Sequence, residues 1–142
     1  MIWFKNISLQ ELNDWHKNTM QSFLQIEFTE IGDDFLKAKM PVNERTKQPE
    51  GLLHGGANVV LAESLGSVAS VLCINPSEKT CVGLEVNANH IRAVRGGYVH
   101  AITRPVHLGR TTQIWEIKIY DDDGKLTCIS RMTNAILDKK NK

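Results

Sequence analysis

Glu63 is the one charged residue in a stretch of nineteen, residues 55–73, whose other side chains are apolar or small and uncharged. The apolar residues of this stretch recur at helical spacing, which predicts one long helix. A carboxylate isolated in such a helix can serve as a general base or as a nucleophile if it is partly buried at a site. The alternatives are a solvated side chain on a half-exposed helix and an ion pair with an arginine elsewhere in the chain.

A second feature suited to chemistry lies where this helix begins. Two glycines, Gly55 and Gly56, directly follow His54. The first N–H groups of a helix have no partner within the helix, and with the positive end of the helix dipole they can stabilise an oxygen that develops negative charge. The alternatives are that the glycines only permit a tight entry into the helix and that His54 is a structural residue.

The spacing of these two features favours a site shared between two chains. Glu63 lies about 12 Å along the helix axis from Gly55, which is too long for both groups to contact one reacting carbon. Two copies packed with their helices antiparallel would bring the Glu63 of one copy near the Gly55 of the other.

The helix has two distinct faces when its residues are placed at 100° intervals. We expect one apolar stripe to pack on a sheet, formed by Leu61, Leu65, Val68 and Leu72. The opposite face holds mainly small or polar residues, namely Gly56, Val60, Glu63, Ser67 and Ser70. The many small residues indicate close packing, so we expect both faces to be covered.

The other elements are two short helices and six strands. Ser8 and Glu11 have capping-box spacing, and Thr19 opens a further helical turn. Alternating or β-branched runs predict strands at residues 26–31, 36–42, 79–91, 97–107, 111–120 and 125–137. Four of these strands follow the long helix without another helix between them. We therefore expect an α+β fold in which a curved antiparallel sheet packs on the central helix, and not a parallel βαβ arrangement.

Length and composition fit a single domain, residues 1–142, without special partners or metals. The formal net charge is +1, so the total charge does not favour binding to nucleic acid or to an acidic membrane. The longest apolar run near the middle is interrupted by Glu63, so we expect no membrane span. The three cysteines form no CxxC pair, which argues against a disulfide framework or a zinc site. No signal peptide is visible at the start, and the reduced cytoplasm is the expected location.

Several segments are similar to a known family. The sequence G-L-L-H-G-G-A-N-V-V-L-A-E-S-L-G-S-V-A-S, residues 51–70, resembles the hotdog-fold acyl-CoA thioesterases of the phenylacetate type. Three further segments are M-P-V-N-E-R-T-K-Q-P-E, V-G-L-E-V-N-A-N-H-I-R and P-V-H-L-G-R-T. They resemble the family branch that hydrolyses 1,4-dihydroxy-2-naphthoyl-CoA in menaquinone biosynthesis. The resemblance covers residues 2–137 and implies a hotdog fold, in which the sheet wraps around the long helix.

The resemblance also implies roles for individual residues. Glu63 would be the catalytic carboxylate, and the Gly55 N–H would polarise the thioester carbonyl. Gln48 and His54 would hold the thioester group, and Ser67 would help to position water or substrate. Hydrolysis of a thioester needs a base and a stabilised oxyanion, so no metal or cofactor is implied, CoA being part of the substrate.

A longer set of residues matches positions that line the CoA channel in the family: Gly83, His90, Ile91, Arg92, Ala93, His107, Leu108, Gly109, Arg110, Thr111 and Thr112. Independently of the resemblance, basic side chains could bind the CoA phosphates by charge-assisted hydrogen bonds. The candidates are Arg92, Arg95, Arg104, Arg110 and Lys125. For any one of them, an ordinary solvated position on a strand is the alternative.

Three other functions stay open at this point. The first is proofreading, in which the enzyme removes aroyl groups from a carrier protein in enterobactin synthesis. The second is a non-catalytic acyl-CoA binding module on the same fold, and a dehydratase is less favoured. The resemblance implies a homo-oligomer, with two chains sharing a continuous sheet and two such dimers forming a tetramer.

Overall fold

A computed structural model describes residues 1–140 of the chain. Residues 141 and 142, the last two of the predicted domain 1–142, lie outside the described part. The elements in chain order are α1 (Leu9–Asp14), α2 (Met20–Phe23), β1 (Glu27–Ile31), β2 (Leu36–Pro41), α3 (Gly55–Leu72), β3 (Lys79–His90), β4 (Tyr98–Leu108), β5 (Thr112–Tyr120) and β6 (Leu126–Asp138). Each predicted helix and strand is therefore present, with ends that differ from the prediction by one or two residues.

The six strands form one antiparallel sheet in the order β1-β2-β4-β5-β6-β3. The strand that follows the long helix, β3, pairs only with β6 and lies at the edge of the sheet. Helix α3 contacts five of the strands from one side. This α+β arrangement, one sheet curved around one long helix, is the hotdog architecture that the resemblance implies.

The core lies between α3 and the inner face of the sheet. Leu61 and Leu65 are fully buried on α3, as the helical stripe predicts. Alternate residues of β5 are buried against the helix, because successive side chains of a strand point to opposite faces. The largest of them, Trp115, stacks on Trp3 with ring centroids 6.3 Å apart.

The position of Ser70 corrects the predicted helix face. We expected Ser70 on the face opposite the sheet, but it is fully buried. Its Oγ accepts hydrogen bonds from Trp115 Nε1 and Asn134 Nδ2, both at 2.7 Å. The physical reason is the curvature of the sheet, which covers more of the helix than the apolar stripe alone. Side chains of the sheet therefore reach Ser70 and provide hydrogen-bond partners for its buried hydroxyl group.

Length and mean hydropathy alone would allow α3 to cross a membrane, contrary to the expectation from the sequence. A single charged residue, Glu63, does not lower the mean hydropathy of the helix enough to exclude a membrane span. The helix is nevertheless packed in the core, with 56% of it buried inside the fold. Its apolar composition is therefore explained by packing on the sheet.

Candidate active site

The loop before α3 presents the beginning of the helix. His54 is the N-cap, and its Nδ1 accepts a hydrogen bond from the Gly56 N–H at 2.8 Å. Backbone bonds from His54 N to Thr46 O and from Leu53 N to Val94 O hold the loop. Among residues 1–140, the Gly55 N–H has no acceptor, so this donor is available to a ligand.

A cavity of about 320 Å³ opens beside Gly55. It brings together six of the residues predicted for the site: Gln48, Gly55, His90, Ile91, Arg92 and Ala93. The His90 ring lies directly over Gly55, because a Cβ at position 55 would be 2.8 Å from His90 Nε2. The absence of a side chain at Gly55 therefore lets the histidine approach the helix end closely.

Glu63 lines a different cavity, of about 330 Å³, together with Ser67. The carboxylate is exposed in the single chain, so the partly buried position expected of a catalytic carboxylate is not found within one protomer, and the solvated alternative describes it there. It is not ion-paired with any basic side chain of residues 1–140, which contradicts the ion-pair alternative. Gly83 on β3 lies next to it, since a Cβ at position 83 would be 3.4 Å from Glu63 Oε1. Of the predicted site residues, Gly83 is thus grouped with Glu63 and not with the Gly55 cavity.

One protomer therefore holds the predicted catalytic residues in two separate places on α3. Gln48 and Gly55 line the cavity at the start of the helix, whereas Glu63 and Ser67 line the cavity two turns later. His54 is exposed beside the first cavity and does not line it. A single chain does not bring the carboxylate and the free N–H to one reacting atom.

The remaining predicted CoA residues lie at the other end of the helix. Leu108, Gly109 and Arg110 line a cavity of about 350 Å³ with Cys73 and Lys79. The backbone of the turn that carries them is closed by hydrogen bonds from Gly109 N to Thr112 O and from Ile136 N to Thr111 O. His107, Thr111 and Thr112 line none of the cavities described here.

The basic residues proposed for phosphate binding are also distributed over different cavities. Arg92 lines the Gly55 cavity and Arg110 lines the cavity at the end of the helix. Arg104, in contrast, is held by Asp34 at 2.6 Å and lies over the Phe35 ring, 4.7 Å from its centroid. Arg104 therefore lines neither of these cavities, and its guanidinium is paired with a carboxylate of the β1–β2 turn.

The three cysteines are free and unsuited to nucleophilic chemistry. Burial raises the pKa of the Cys73 thiol to about 12 and also raises the pKa values of Cys81 and Cys128. A thiol with a raised pKa holds little thiolate at neutral pH. Within residues 1–140, no cluster of three or more His, Cys, Asp or Glu side chains is arranged to hold a metal ion.

Of the cavity-lining residues that the sequence did not single out for the site, four lie beside Glu63 or Gly55 with a polar or flexible side chain. Met20, Gln21 and Ser64 face the Glu63 cavity, and Asn58 faces the Gly55 cavity. Asn58 could have been found, since it lies one turn after Gly55 on the predicted helix, and its Nδ2 is 3.4 Å from His90 Nδ1. Met20 and Gln21 gave no such signal because their proximity to α3 depends on the path of the chain before β1.

Comparison with known proteins decides the family. The family model described as "Thioesterase superfamily" matches residues 50–128, more than half of the chain. The chain belongs to the thioesterase superfamily. The match spans α3 and most of the sheet, including Glu63 and the Gly55 cavity.

Named relatives of this thioesterase cover almost its whole length. A 1,4-dihydroxy-2-naphthoyl-CoA hydrolase of Escherichia coli is 56% identical over 137 residues, which are 96% of this chain and 100% of the relative. A proofreading thioesterase, EntH, of Cronobacter turicensis is 47% identical over 96% of this chain and 99% of the relative. A crystal structure of a mutant thioesterase from Pseudomonas aeruginosa matches with a TM-score of 0.96 at 52% identity, covering 98% of this chain and 100% of that chain.

These matches confirm the hotdog fold and the expected class of enzyme. The thioesterase is a hydrolase that acts on acyl-CoA thioesters. The alternative of a non-catalytic binding module is therefore not supported. The relatives include both a CoA-ester hydrolase and a proofreading enzyme, so the family match fixes neither the acyl group nor the preference for CoA over a carrier protein.

Proposed function

We propose that this thioesterase hydrolyses an aromatic acyl-CoA, namely 1,4-dihydroxy-2-naphthoyl-CoA, to the free acid and CoA in menaquinone biosynthesis. The observation that carries the catalytic part is the unpaired Glu63 carboxylate on the same helix as the unengaged Gly55 N–H. Support for the substrate comes from the E. coli relative, whose name specifies this CoA ester and which is 56% identical.

In the proposed reaction, the Gly55 N–H donates to the carbonyl oxygen of the thioester and stabilises the oxyanion. Glu63 acts either as a general base or as a nucleophile. As a base it takes a proton from water, the water oxygen bonds to the carbonyl carbon, and the carbon–sulfur bond breaks to release CoA thiolate, which then takes up a proton. As a nucleophile its oxygen bonds to the carbonyl carbon and the carbon–sulfur bond breaks, which releases CoA thiolate and leaves a mixed anhydride. Water then hydrolyses the anhydride to the free acid and the Glu63 carboxylate, and the thiolate takes up a proton. Gln48 and His54 hold the thioester, and Ser67 positions the water or the substrate.

The site is completed by a second copy of the chain. Strand β3 is an edge strand of twelve residues whose outer side pairs with no other strand of residues 1–140, and it exposes Val82 and Leu84. A long apolar edge of this kind is suited to pairing with another chain. Antiparallel pairing of two β3 strands would set the α3 helices antiparallel and bring the Glu63 cavity of one protomer towards the Gly55 cavity of its partner. We propose a dimer of this form, with a dimer of dimers as the complete assembly.

The same arrangement would supply two basic residues along one channel. Arg92 beside Gly55 of one protomer and Arg110 at the end of α3 of its partner would lie near the CoA portion of the substrate. Their guanidinium groups suit phosphate oxygens because they donate two parallel hydrogen bonds. The free cysteines are in keeping with a reducing compartment, and we propose the cytoplasm as the location.

The direct test of the catalytic role replaces the carboxylate by the amide of the same shape. We expect Glu63→Gln to lower kcat for 1,4-dihydroxy-2-naphthoyl-CoA by roughly 10²- to 10⁴-fold, because an amide takes up no proton and does not form the anhydride. Thiol release measures the rate. Glu44→Gln, at an exposed carboxylate paired only with the neighbouring Arg45, is the matched control and should leave kcat unchanged. A fully active Glu63→Gln enzyme would refute the mechanism.

A second candidate function is the removal of aroyl groups from a carrier protein. It is favoured by the 47% identity to the proofreading thioesterase of C. turicensis. The same aroyl group offered on CoA and on a carrier protein distinguishes the two functions. Our proposal predicts the higher kcat/KM with CoA, and a clear preference for the carrier protein would support proofreading instead.

A further inference from the structure

The short helix α2 is held in one orientation against the Glu63 cavity. Asn18 and Gln25, one on either side of it, have φ angles of 61° and 60°. Left-handed conformations are rare for residues other than glycine, so these two positions reverse the chain sharply before and after the helix. Thr19 and Ser22 cap the helix reciprocally, each side chain bonding the backbone N–H of the other. The segment is therefore a fixed turn of helix and not a loosely tethered loop.

Neighbouring residues hold the side of this segment that faces away from the cavity. Asn43 Nδ2 donates to Gln25 Oε1 at 3.1 Å, and the Arg45 guanidinium lies 5.6 Å from the centroid of the Phe23 ring. Backbone bonds from Gln25 N to Ser22 O and from Ile26 N to Gln21 O close the turn. Phe23 is thereby directed to the loop at residues 43–45, while Met20 and Gln21 line the cavity.

The cavity between α2 and α3 has one apolar and one polar side. Met20 and Val60 supply apolar surface, and Met20 is 61% exposed. The Gln21 amide has no hydrogen-bond partner among residues 1–140 and is half-buried, so a donor and an acceptor are available. The Ser64 hydroxyl, in contrast, is engaged, because it donates to Val60 O at 2.6 Å.

We propose that Met20 and Gln21 select the acyl group: the Met20 thioether packs against the face of an aromatic ring, and the Gln21 amide hydrogen-bonds a hydroxyl group on that ring. This inference rests on the proposed function, since it takes the Glu63 cavity as the place of the reacting acyl group. A flexible, polarizable thioether makes favourable contacts with aromatic rings. A ring that enters the cavity removes water from Gln21, and only an acyl group with its own polar substituent restores the lost hydrogen bond.

Three CoA esters test the assignment: 1,4-dihydroxy-2-naphthoyl-CoA, 2-naphthoyl-CoA, which lacks the hydroxyls, and hexanoyl-CoA. For Gln21→Leu we expect the ratio of kcat/KM for the hydroxylated ester to that for 2-naphthoyl-CoA to fall about tenfold or more, because the amide partner is lost. Gln21→Met is a second apolar variant and should give the same fall. For Met20→Ala we expect kcat/KM to fall for both aromatic esters relative to hexanoyl-CoA.

Gln10→Leu is the matched control because it makes the same change at an exposed glutamine of α1 whose side chain bonds only Asp14 and lines none of the three cavities. It should leave all three ratios unchanged. An unchanged hydroxyl preference in folded, active Gln21→Leu and Gln21→Met enzymes would overturn the inference, as would an equal loss of preference in Gln10→Leu. If the unaltered enzyme hydrolyses none of the three esters, the proposed function itself fails, and the inference fails with it.

Discussion

Two serines one helical turn apart on α3 have opposite environments. Ser67 is half-buried and faces the Glu63 cavity, whereas Ser70 is fully buried between the helix and the sheet. Ser70 Oγ accepts from Trp115 Nε1 and Asn134 Nδ2, and the Asn134 amide also donates to Gly66 O at 3.2 Å. This buried network joins α3 to β5 and β6 one turn from the cavity, so it fixes the rotation of the helix that carries Glu63.

Ser70→Ala tests the contribution of this network to stability. The substitution leaves two buried donors, Trp115 Nε1 and one Asn134 N–H, without this partner, and each unsatisfied group costs about 1–3 kcal/mol. We expect a lower free energy of unfolding in urea at fixed protein concentration. Ser77→Ala, at an exposed serine bonded only to Asn75, is the control and should change the stability little. An unaltered stability for Ser70→Ala would show that the network does not hold the helix.

At the scale of elements, a carboxylate clamps the start of β4 to the turn between β5 and β6. Asp122 accepts from the Tyr98 N–H at 3.0 Å and bonds His100 Nε2 at 2.7 Å. The hydrogen bonds from His100 and Tyr98 lower the pKa of Asp122 below its ordinary value. A carboxyl group whose pKa is lower in the folded state stabilises the fold in its ionised form.

The clamp should make stability depend on pH in a defined direction. Its contribution is fully present above the ordinary carboxyl pKa and is lost as the pH falls through the lowered value of the folded state. Asp122→Asn should therefore destabilise the protein at pH 7, by at most about 1 kcal/mol because the pair is exposed, and the difference should vanish in acid. Thermal unfolding of both proteins from pH 7 to pH 2 measures this.

Asp123→Asn, in the same turn, is the matched control for the clamp. Its side chain takes part in none of the hydrogen bonds or ion pairs of residues 1–140, so its unfolding should follow the unaltered protein across the pH range. A difference between Asp122→Asn and the unaltered protein that persists undiminished at pH 2 would contradict the assigned role of the carboxylate.

Periodicity in the sequence was sufficient to predict the elements themselves. The alternating apolar residues of β5 correspond to alternating buried positions, and the turn at Asp123-Gly124 has the left-handed Gly124, φ 76°, that such hairpins require. The isolated Glu63 and the glycines at 55 and 56 were also visible, because an exception in a regular pattern can be recognised from one chain.

Features that depend on non-local packing could not be predicted. Ser70 belongs to the polar face of an ideal helix, and only the curvature of the sheet places Trp115 and Asn134 against it. The left-handed conformation of Gln25 leaves no mark in the sequence, although Asn18 is of a type that favours this conformation. The two conformations place α2 beside the Glu63 cavity. The division of the site into two cavities likewise required the three-dimensional position of His90 over Gly55.

For the whole molecule, the unpaired edge of β3 is the feature with the greatest consequence. Leu84 is 62% exposed on this strand, directly after Gly83, the residue of β3 that faces the Glu63 carboxylate. Pairing of two β3 strands would remove apolar side chains from water and would close the Glu63 cavity at the same time. The β3 edge would then determine both whether the chain dimerises and whether the Glu63 cavity is complete.

We expect Leu84→Lys to shift the protein from dimer or larger assembly towards monomer and to lower the activity in parallel. Leu84 lies near the middle of β3, so antiparallel pairing of two β3 strands about their centres would bring two lysines at this position close together, and like charges repel. Light scattering and thiol release at matched concentrations measure the two effects. Val106→Lys, at a 52%-exposed position on β4, is the control and should change neither property. A monomer with full activity would contradict a shared site.

The most direct test of the shared site mixes two inactive variants. Glu63→Gln removes the carboxylate, and Gly55→Pro removes the N–H at the first position of α3, where proline is compatible with a helix. Gly55→Ala keeps the N–H but adds a Cβ against His90. Comparing it with Gly55→Pro therefore separates the effect of losing the hydrogen-bond donor from the effect of steric crowding at His90. If each site combines Glu63 of one chain with Gly55 of the other, a mixed dimer of the two variants contains one intact site.

After subunit exchange of equal amounts of Glu63→Gln and Gly55→Pro protein, we expect recovery of about one quarter of the unaltered activity, since half of the dimers are mixed and each has one intact site of two. Each variant subjected to the same exchange alone should stay inactive. A mixture whose mixed dimers are demonstrated by mass spectrometry, yet which hydrolyses the CoA ester no faster than its components, would contradict the central claim.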